Sequence, residues 1–510
     1  MSSNPPRRTP YGAGDAGAAR AVVIGAGFGG MAAALRLRAR GYRVTLFERG
    51  DQPGGRARVF ERGGFRHDAG PTVITAPHMF DDLFALFGRR LADEVTLVAL
   101  DPWYRFRFPD GSTFDYGATP QQTIAEIKRF DERDVEGYRR MLEHSRALFE
   151  AGFVELASQP FHRPWTMLRE APRLVRLGAH RTISGFVSRY LRHPKLRRAF
   201  SIQPLLLGGN PFDTTAIYGL IHYLEHKWGV HAAIGGTGAI AAALDHLMRD
   251  VGIELAYGAT VERVVIENRR ATGVVLAGGT VEPADIVVSN ADPLHLYREM
   301  VPAGARTLPV RLKDRLARLS MGLFVLYFGT RRTYPDVARH TIWFGERDRE
   351  LLDDIFRRKR LAEDFSLYIH RPTATDASFA PPGCDSFYVL CPVPNLEADI
   401  DWPREGPRLR ARIIAALDRT ILPGLAGAIT ADFFITPHDF AADHLSVHGA
   451  GFSIAPHFTQ SAWFRFHNRA EGIEGLYLTG AGTHPGAGIP GVLSSARVVE
   501  KLVPDPRAPA

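Results

Sequence analysis

The stretch "RAVVIGAGFGGMAAALRLRARGYRVTLFE", residues 20–48, constrains the fold more tightly than any other part of the chain. Val22, Val23 and Ile24 form a β-branched run bounded by glycine, as a buried parallel strand does. Gly25, Gly27 and Gly30 then fill the spacing G-x-G-x-x-G. The first permits a tight turn, the second lets a diphosphate approach the backbone, and the third lets a helix pack on the strand. Met31, Leu35 and Leu37 continue at helical spacing, and Gly41 closes the helix. The next strand ends in Glu48, a carboxylate suited to both hydroxyls of an adenosine ribose and unsuited to a 2′-phosphate. The helix N-terminus offers unpaired N–H groups and a positive dipole end to the diphosphate. Glycine spacing alone is a weak signal; joined to strand, helix and strand-ending acid, it predicts dinucleotide binding.

A chain of 510 residues exceeds what one hydrophobic core usually supports, so two domains or one elaborated domain are expected. The remainder of a dinucleotide fold has to return later in the sequence. Residues 235–292 supply a predicted helix over 238–250, a strand over 254–257, alternating runs over 261–266 and 272–276, and a buried strand ahead of "SNAD". Asp292 reads equally as a cofactor ligand and as the N-cap of "PLHLYREM". The last piece, "GIEGLYLTGAGTHPGAGIPGVLSSARVVEKL", predicts a strand, a glycine-rich loop and a helix beginning near Gly491. Gly480 and Gly482 allow close backbone approach, and the helix start adds N–H donors. The loop from Gly480 to Val492 is therefore expected to close the site that the first strand opens; the alternative is an ordinary surface connection. "MGLFVLYFG" predicts a sheet floor.

Charge is mildly basic, +8 at neutral pH, and carried almost wholly by arginine. Between Phe161 and Phe200 the only acid is Glu170, while Arg163, Arg169, Arg173, Arg176, Arg181 and Arg189 alternate with Trp165, Leu168, Leu174 and Phe186. Such interleaving suits an anionic lipid interface, with a solvated basic face as the alternative. No nucleic-acid motif accompanies the patch, so nucleic acid is not expected as a partner. Cys384 and Cys391 make no C-x-x-C pair, which fits a reducing, cytoplasmic compartment. No window of eighteen uncharged apolar residues predicts a membrane span. His222 and His226 share a helical face as a metal pair would, but with no carboxylate motif attached a packed role is preferred and no metal is expected. No Ser-His-Asp, H-E-x-x-H or phosphoryl-transfer pattern competes with redox chemistry.

After Glu48 and Arg49 comes "DQPGGRA", in which Gly54, Gly55 and Arg56 form a second glycine–arginine element. It resembles the extension of flavoproteins in the amine oxidase and carotenoid desaturase superfamily, where it runs along the FAD diphosphate. Further segments strengthen the likeness: "DAGPTVIT", "LLLGGNPF", "WGVHAAIGGTGA", "HRPTATDASFAPPGCDSFYVL", "TQSAWFRFHNR" and "LTGAGTHPGAGIPGV". Over residues 20–503 the chain resembles the bacterial carotenoid desaturases of the lycopene-forming type. The resemblance implies an α/β fold, α+β overall. Its Rossmann-like FAD domain is discontinuous (20–80, 230–300 and 465–503); the small, polar residues 1–19 ahead of it read as a disordered tail. A substrate domain takes 81–229 and 301–464, with 120–225 helical and facing a membrane.

The same resemblance implies FAD contacts at Arg49, Pro71, Thr72, Val261, Gly491 and Val492, beside those already named. It implies phytoene as substrate, stepwise desaturation to lycopene at a membrane surface, and quinone or oxygen as electron acceptor. Relatives pair an acid with an arginine in the segment matching "PFHRPWTMLREAP"; here Arg169 keeps the arginine, but Thr166 stands at the acid's place. Arg169 and His484 are the expected catalytic side chains. At about 0.8 kcal/mol per CH₂, drawing a forty-carbon chain through water costs on the order of 25 kcal/mol, which favours collection from a bilayer. Rival readings are a desaturase of another carotenoid, a flavin-dependent isomerase, and a lipid-binding escort on the related GDP dissociation inhibitor scaffold.

Overall fold

The computed structural model describes residues 17–506, so positions 1–16 of the expected tail lie outside the described residues. Five parallel strands, β1 (Arg20–Ile24), β2 (Arg43–Glu48), β3 (Glu254–Tyr257), β4 (Ile286–Ser289) and β5 (Leu476–Leu478), form one sheet in the order β5-β4-β1-β2-β3. The strands come from three widely separated stretches of chain, and β1 holds the centre. Alternation along β1 explains the apolar run that follows its exposed Arg20. Ala21 and Val23 point into a core shared with helix α1 (Phe28–Ala39), the Thr237–Asp250 helix and the terminal Ile489–Leu502 helix. Val22 and Ile24 point the other way, toward an antiparallel meander of Val261–Glu267, Arg270–Leu276 and Val281–Pro283. The terminal helix begins at Ile489, two residues before the expected Gly491, because Pro490 occupies the first turn, where a missing N–H costs nothing.

A second sheet has seven strands, in the order Ile429–Ile435, Gly322–Thr330, Asp385–Val393, Leu367–His370, His340–Trp343, Tyr104–Arg107 and Thr113–Tyr116. Pairing is antiparallel except between His340–Trp343 and Tyr104–Arg107. Gly322–Thr330 is buried along its whole length, the sheet floor expected of "MGLFVLYFG". Phe324, Leu326 and Phe328 face one core and Leu323, Val325 and Tyr327 another.

From Pro120 to Trp228 the chain is helical, with no strand intervening. Two of its helices matter below: α2 (Pro164–Arg176) and α3 (Leu220–Trp228). Helix α2 buries no residue fully, and it carries Trp165, Leu168 and Val175 at 76%, 61% and 52% exposure, far beyond what a core-facing helix leaves in water. Among the described residues no helix is long and apolar enough to cross a membrane.

Candidate functional site

One cavity of about 710 Å³ runs from the carboxyl ends of β1, β2 and β4, across the second sheet, to the helical segment. It opens where a parallel sheet characteristically binds ligands. Its lining includes Gly25, Gly27, Glu48, Arg49, Gly54, Gly55, Arg56, Pro71, Thr72, Val261, Asp292, Gly480, Gly482, Gly491, Val492 and His484. Thus the front turn, the glycine–arginine element and the closing loop, distant in sequence, share one wall. Gly30 stands behind the wall: a Cβ there would fall 1.9 Å from the Gly25 carbonyl oxygen, so glycine is what lets α1 pack on the turn.

Backbone geometry explains the glycines. Gly25 and Gly480 have φ of +93° and +98°, the left-handed region that side chains disfavour. Gly54 N–H donates to the Ala26 carbonyl at 2.8 Å, seating the second glycine element beside the first. Glu48 accepts the Ala26 N–H on Oε2 and the Gly50 N–H on Oε1, each at 2.7 Å, which fixes the carboxylate at the strand end. Asp292 accepts the Leu294 N–H at 2.9 Å and caps the short helix after β4, and it also lines the cavity. Thr72 Oγ1 lies 2.6 Å from Tyr368 Oη, tying the Pro71–Thr72 turn to the second sheet. The Arg49 guanidinium reaches the Ala442 carbonyl at 2.8 Å on the cavity rim.

The residues fit a flavin dinucleotide. The cradle of Gly25, Gly27, Gly54 and Gly55 presents backbone where a diphosphate requires it. Burial lowers the pKa of Arg56, and its Nε is buried without a protein partner, as a cation awaiting an anion would be.

His484, within the closing loop, lines the cavity. Its Nε2–H donates to the Leu156 carbonyl at 3.1 Å, its ring packs 4.7 Å from Phe161, and its buried Nδ1 has no protein partner. Burial pushes its pKa down to about 4, so the imidazole is neutral at physiological pH. Arg169 is placed differently. It does not line the cavity; it projects from α2 with 81% of its side chain exposed and pairs with Glu170 at 2.9 Å. Helical geometry is the reason: Met167 and Leu174, seven residues apart, turn to the cavity, and position 169 lies about 200° around the axis from 167. His222 and His226 have separate partners, Gln203 Nε2 at 3.2 Å and Tyr138 Oη at 2.5 Å, and no metal-holding cluster occurs among the described residues.

Several site residues are not singled out by the sequence. Asn290, at the end of β4, abuts Gly27, Gly29 and Gly480. The sequence carries a signal for it: a polar residue just past the carboxyl end of a buried strand. Arg465, 1% exposed, donates to the carbonyls of Gln460, Ala481 and Thr483 and so anchors the closing loop. Glu225, on α3, lines the apolar part of the cavity, and nothing in "IHYLEHKW" distinguishes it from a solvated helical acid.

Comparison with known proteins agrees with this geometry. Over 95% of this chain and 99% of the other, the sequence is 48% identical to the phytoene desaturase (lycopene-forming) of Pseudescherichia vulneris. It is 43% identical to the phytoene desaturase (neurosporene-forming) of Rhodobacter capsulatus, covering 97% of this chain and 96% of that one. Among solved structures, a putrescine oxidase shares the fold with a TM-score of 0.64 at 14% identity, over 95% of this chain and 98% of the other. The flavin containing amine oxidoreductase family matches residues 28–499. This chain belongs to that family.

Proposed function

We propose that the protein is an FAD-dependent carotenoid desaturase that carries 15-cis-phytoene stepwise, through phytofluene, zeta-carotene and neurosporene, to lycopene. One observation carries the reading: a single cavity joins a glycine- and arginine-lined end to a long apolar end lined by Leu205, Leu206, Ile217, Leu220 and Leu224. The high identity to lycopene-forming relatives over nearly the whole chain supports the substrate class.

In this reading residues 20–80, 230–300 and 465–503 hold the cofactor, and 81–229 with 301–464 hold the polyene. Glu48 would take the ribose, Gly25, Gly27, Gly54, Gly55 and Arg56 the diphosphate, and Val261 and Asp292 the adenosine side. The Pro71–Thr72 turn and the loop from Gly480 to Val492 would frame the flavin end. When bound, FAD supplies the two-electron acceptor. The chain's own residues bind the polyene along apolar walls, exclude water and orient an allylic C–C bond toward the cofactor end. His484, neutral and with a free Nδ1, is a hydrogen-bond acceptor at that wall.

The outward arc of α2 is the surface we assign to lipid. Trp165, Leu168 and Val175 project beside Arg169 and Arg176, while Met167 and Leu174 of the same helix line the cavity. A helix with one edge on lipid and the other on the cavity lets substrate pass without crossing water. Quinone or oxygen then reoxidises the cofactor.

Product analysis tests the assignment. Purified protein with FAD and phytoene in liposomes is expected to yield products whose absorption moves to the red, ending at lycopene. A protein that binds no FAD, or one that only rearranges double-bond geometry, would instead support the escort or the isomerase reading.

A further inference from the structure

Desaturation releases a proton as well as a hydride, and the arginine expected to manage acid–base chemistry points into solvent. Among cavity-lining residues contributed by the helical segment 120–228, Glu225 is the sole carboxyl. It follows Leu220, Ile221 and Leu224 along one wall of α3 and is 1% exposed. Its Oε1 accepts the Tyr104 O–H at 2.9 Å, and its Oε2 is buried without a hydrogen-bond partner. The Tyr104 ring packs on His340 at 5.9 Å, His340 packs on Tyr368 at 5.9 Å, and the Tyr368 hydroxyl lies 2.6 Å from Thr72 Oγ1. Four contacts therefore connect this carboxyl to the Pro71–Thr72 turn at the cofactor end. A bare carboxyl oxygen in an apolar wall is costly, and a leucine of similar length would pack there more cheaply. No ion pair or capping role accounts for it.

Resting on the desaturase reading, we propose that Glu225 is the proton acceptor of the reaction. In each step one allylic carbon loses a hydride to the two-electron acceptor that the proposed activity supplies. The C–H bond on the adjacent carbon breaks heterolytically, its electron pair becomes the second bond of the new C=C, and the proton passes to Glu225 Oε2. The substrate loses two electrons, the acceptor gains two, and the carboxylate becomes a carboxylic acid.

The surroundings make this carboxyl an unusually strong base. Burial pushes its pKa up to about 8, partly offset by the Tyr104 hydroxyl and the neighbouring Gln203 side chain. No cation faces it. On its own helix, burial holds His222 and His226 neutral, at about 3 and about 4. On the facing elements His340 is held well below its usual range, and the hydroxyls of Tyr104, Tyr116, Tyr138 and Tyr368 are raised. Each of these stays neutral while Glu225 titrates, and a base titrating near the working pH is well matched to proton transfer.

The experiment compares wild type, Glu225→Gln and Glu225→Asp, each loaded with FAD and supplied with phytoene in liposomes between pH 6 and 10. The wild-type rate is expected to rise about tenfold per pH unit and level off near pH 8. Glu225→Gln is expected to lose about 10²-fold or more and to lose that limb, while Glu225→Asp recovers part of the rate. Flavin absorbance should be equal in all three, which separates a lost base from a lost fold. Independently of turnover, the infrared carbonyl stretch of a protonated carboxylic acid should vanish as wild type is raised through pH 8, and should be missing from Glu225→Gln. Equal turnover of Glu225→Gln beside an active wild type overturns the proposal alone, as does an unchanged infrared band. A wild type that forms no desaturated product overturns the desaturase reading and the proposal together.

Discussion

Asn290 Oδ1 lies 2.8 Å from where a Cβ on Gly480 would stand. The same amide would meet a Cβ on Gly27 through Nδ2 at 2.8 Å and one on Gly29 through Oδ1 at 2.4 Å. One side chain at the end of β4 thus sets the spacing between the first turn of the chain and its closing loop. Gly480→Val adds both this collision and an unfavourable positive φ. It is expected to weaken FAD binding at least tenfold, measured by fluorescence quenching as apoprotein is titrated with FAD.

Arg56 offers the cavity a half-buried guanidinium whose Nε has no protein partner, while its Nη2 donates to Ser446 Oγ at 3.4 Å. A charge-assisted hydrogen bond is worth about 1.5–3 kcal/mol, so Arg56→Ala is expected to raise the FAD dissociation constant about ten- to hundredfold. Arg56→Lys should recover only part of the loss, because an ammonium lacks the planar fork that matches a diphosphate. Calorimetric titration of both variants gives the two constants directly.

Buried neutral histidines set the response to acid. His67, His370, His467 and His484 are pushed down to about 4, and His222 to about 3, mainly by burial. Unfolding returns each to an ordinary pKa near 6.5, so between pH 4 and 6.5 the unfolded chain binds more protons than the folded one. Stability from these groups is complete above pH 6.5 and falls as pH drops toward 4. Glu225 acts with the opposite proton balance: the folded state keeps its proton up to about pH 8, so its contribution declines as pH rises from about 4.5 to 8. Thermal melts across this range should show a maximum near pH 6.5 to 7, and Glu225→Gln should flatten the alkaline side.

Helix α2 is expected to carry the lipid contact. Replacing Trp165, Leu168 and Val175 together with serine removes three large exposed apolar groups while leaving Met167 and Leu174 on the cavity. Co-sedimentation with anionic vesicles should fall at least tenfold, and the far-ultraviolet spectrum should be unchanged. Undiminished sedimentation would place the lipid contact elsewhere.

The parts of the site written into the sequence are those that depend on local backbone demands. Gly25, Gly27 and Glu48 are legible because a tight turn, a diphosphate and a strand-ending acid require fixed residue types at fixed offsets. The loop from Gly480 to Val492 is legible because so many glycines between apolar segments have few other uses. Arg169 shows the opposite case. Its place in a motif says nothing about rotation of α2, which depends on which edge packs against the Ala462–Phe464 turn. Glu225 is invisible for a similar reason, since its burial depends on Tyr104, 121 positions away in the second sheet. The seven-strand order of the second sheet is likewise set by long-range pairing that alternating apolar runs do not encode.

The most direct test of the account is an anaerobic single turnover. Protein fully loaded with FAD is mixed under nitrogen with phytoene in liposomes, with no other oxidant present, and the flavin absorbance is followed beside product formation. The account predicts bleaching of the flavin with one new double bond formed per FAD reduced. Persistence of the oxidised spectrum, with substrate in excess and cofactor bound, would contradict it.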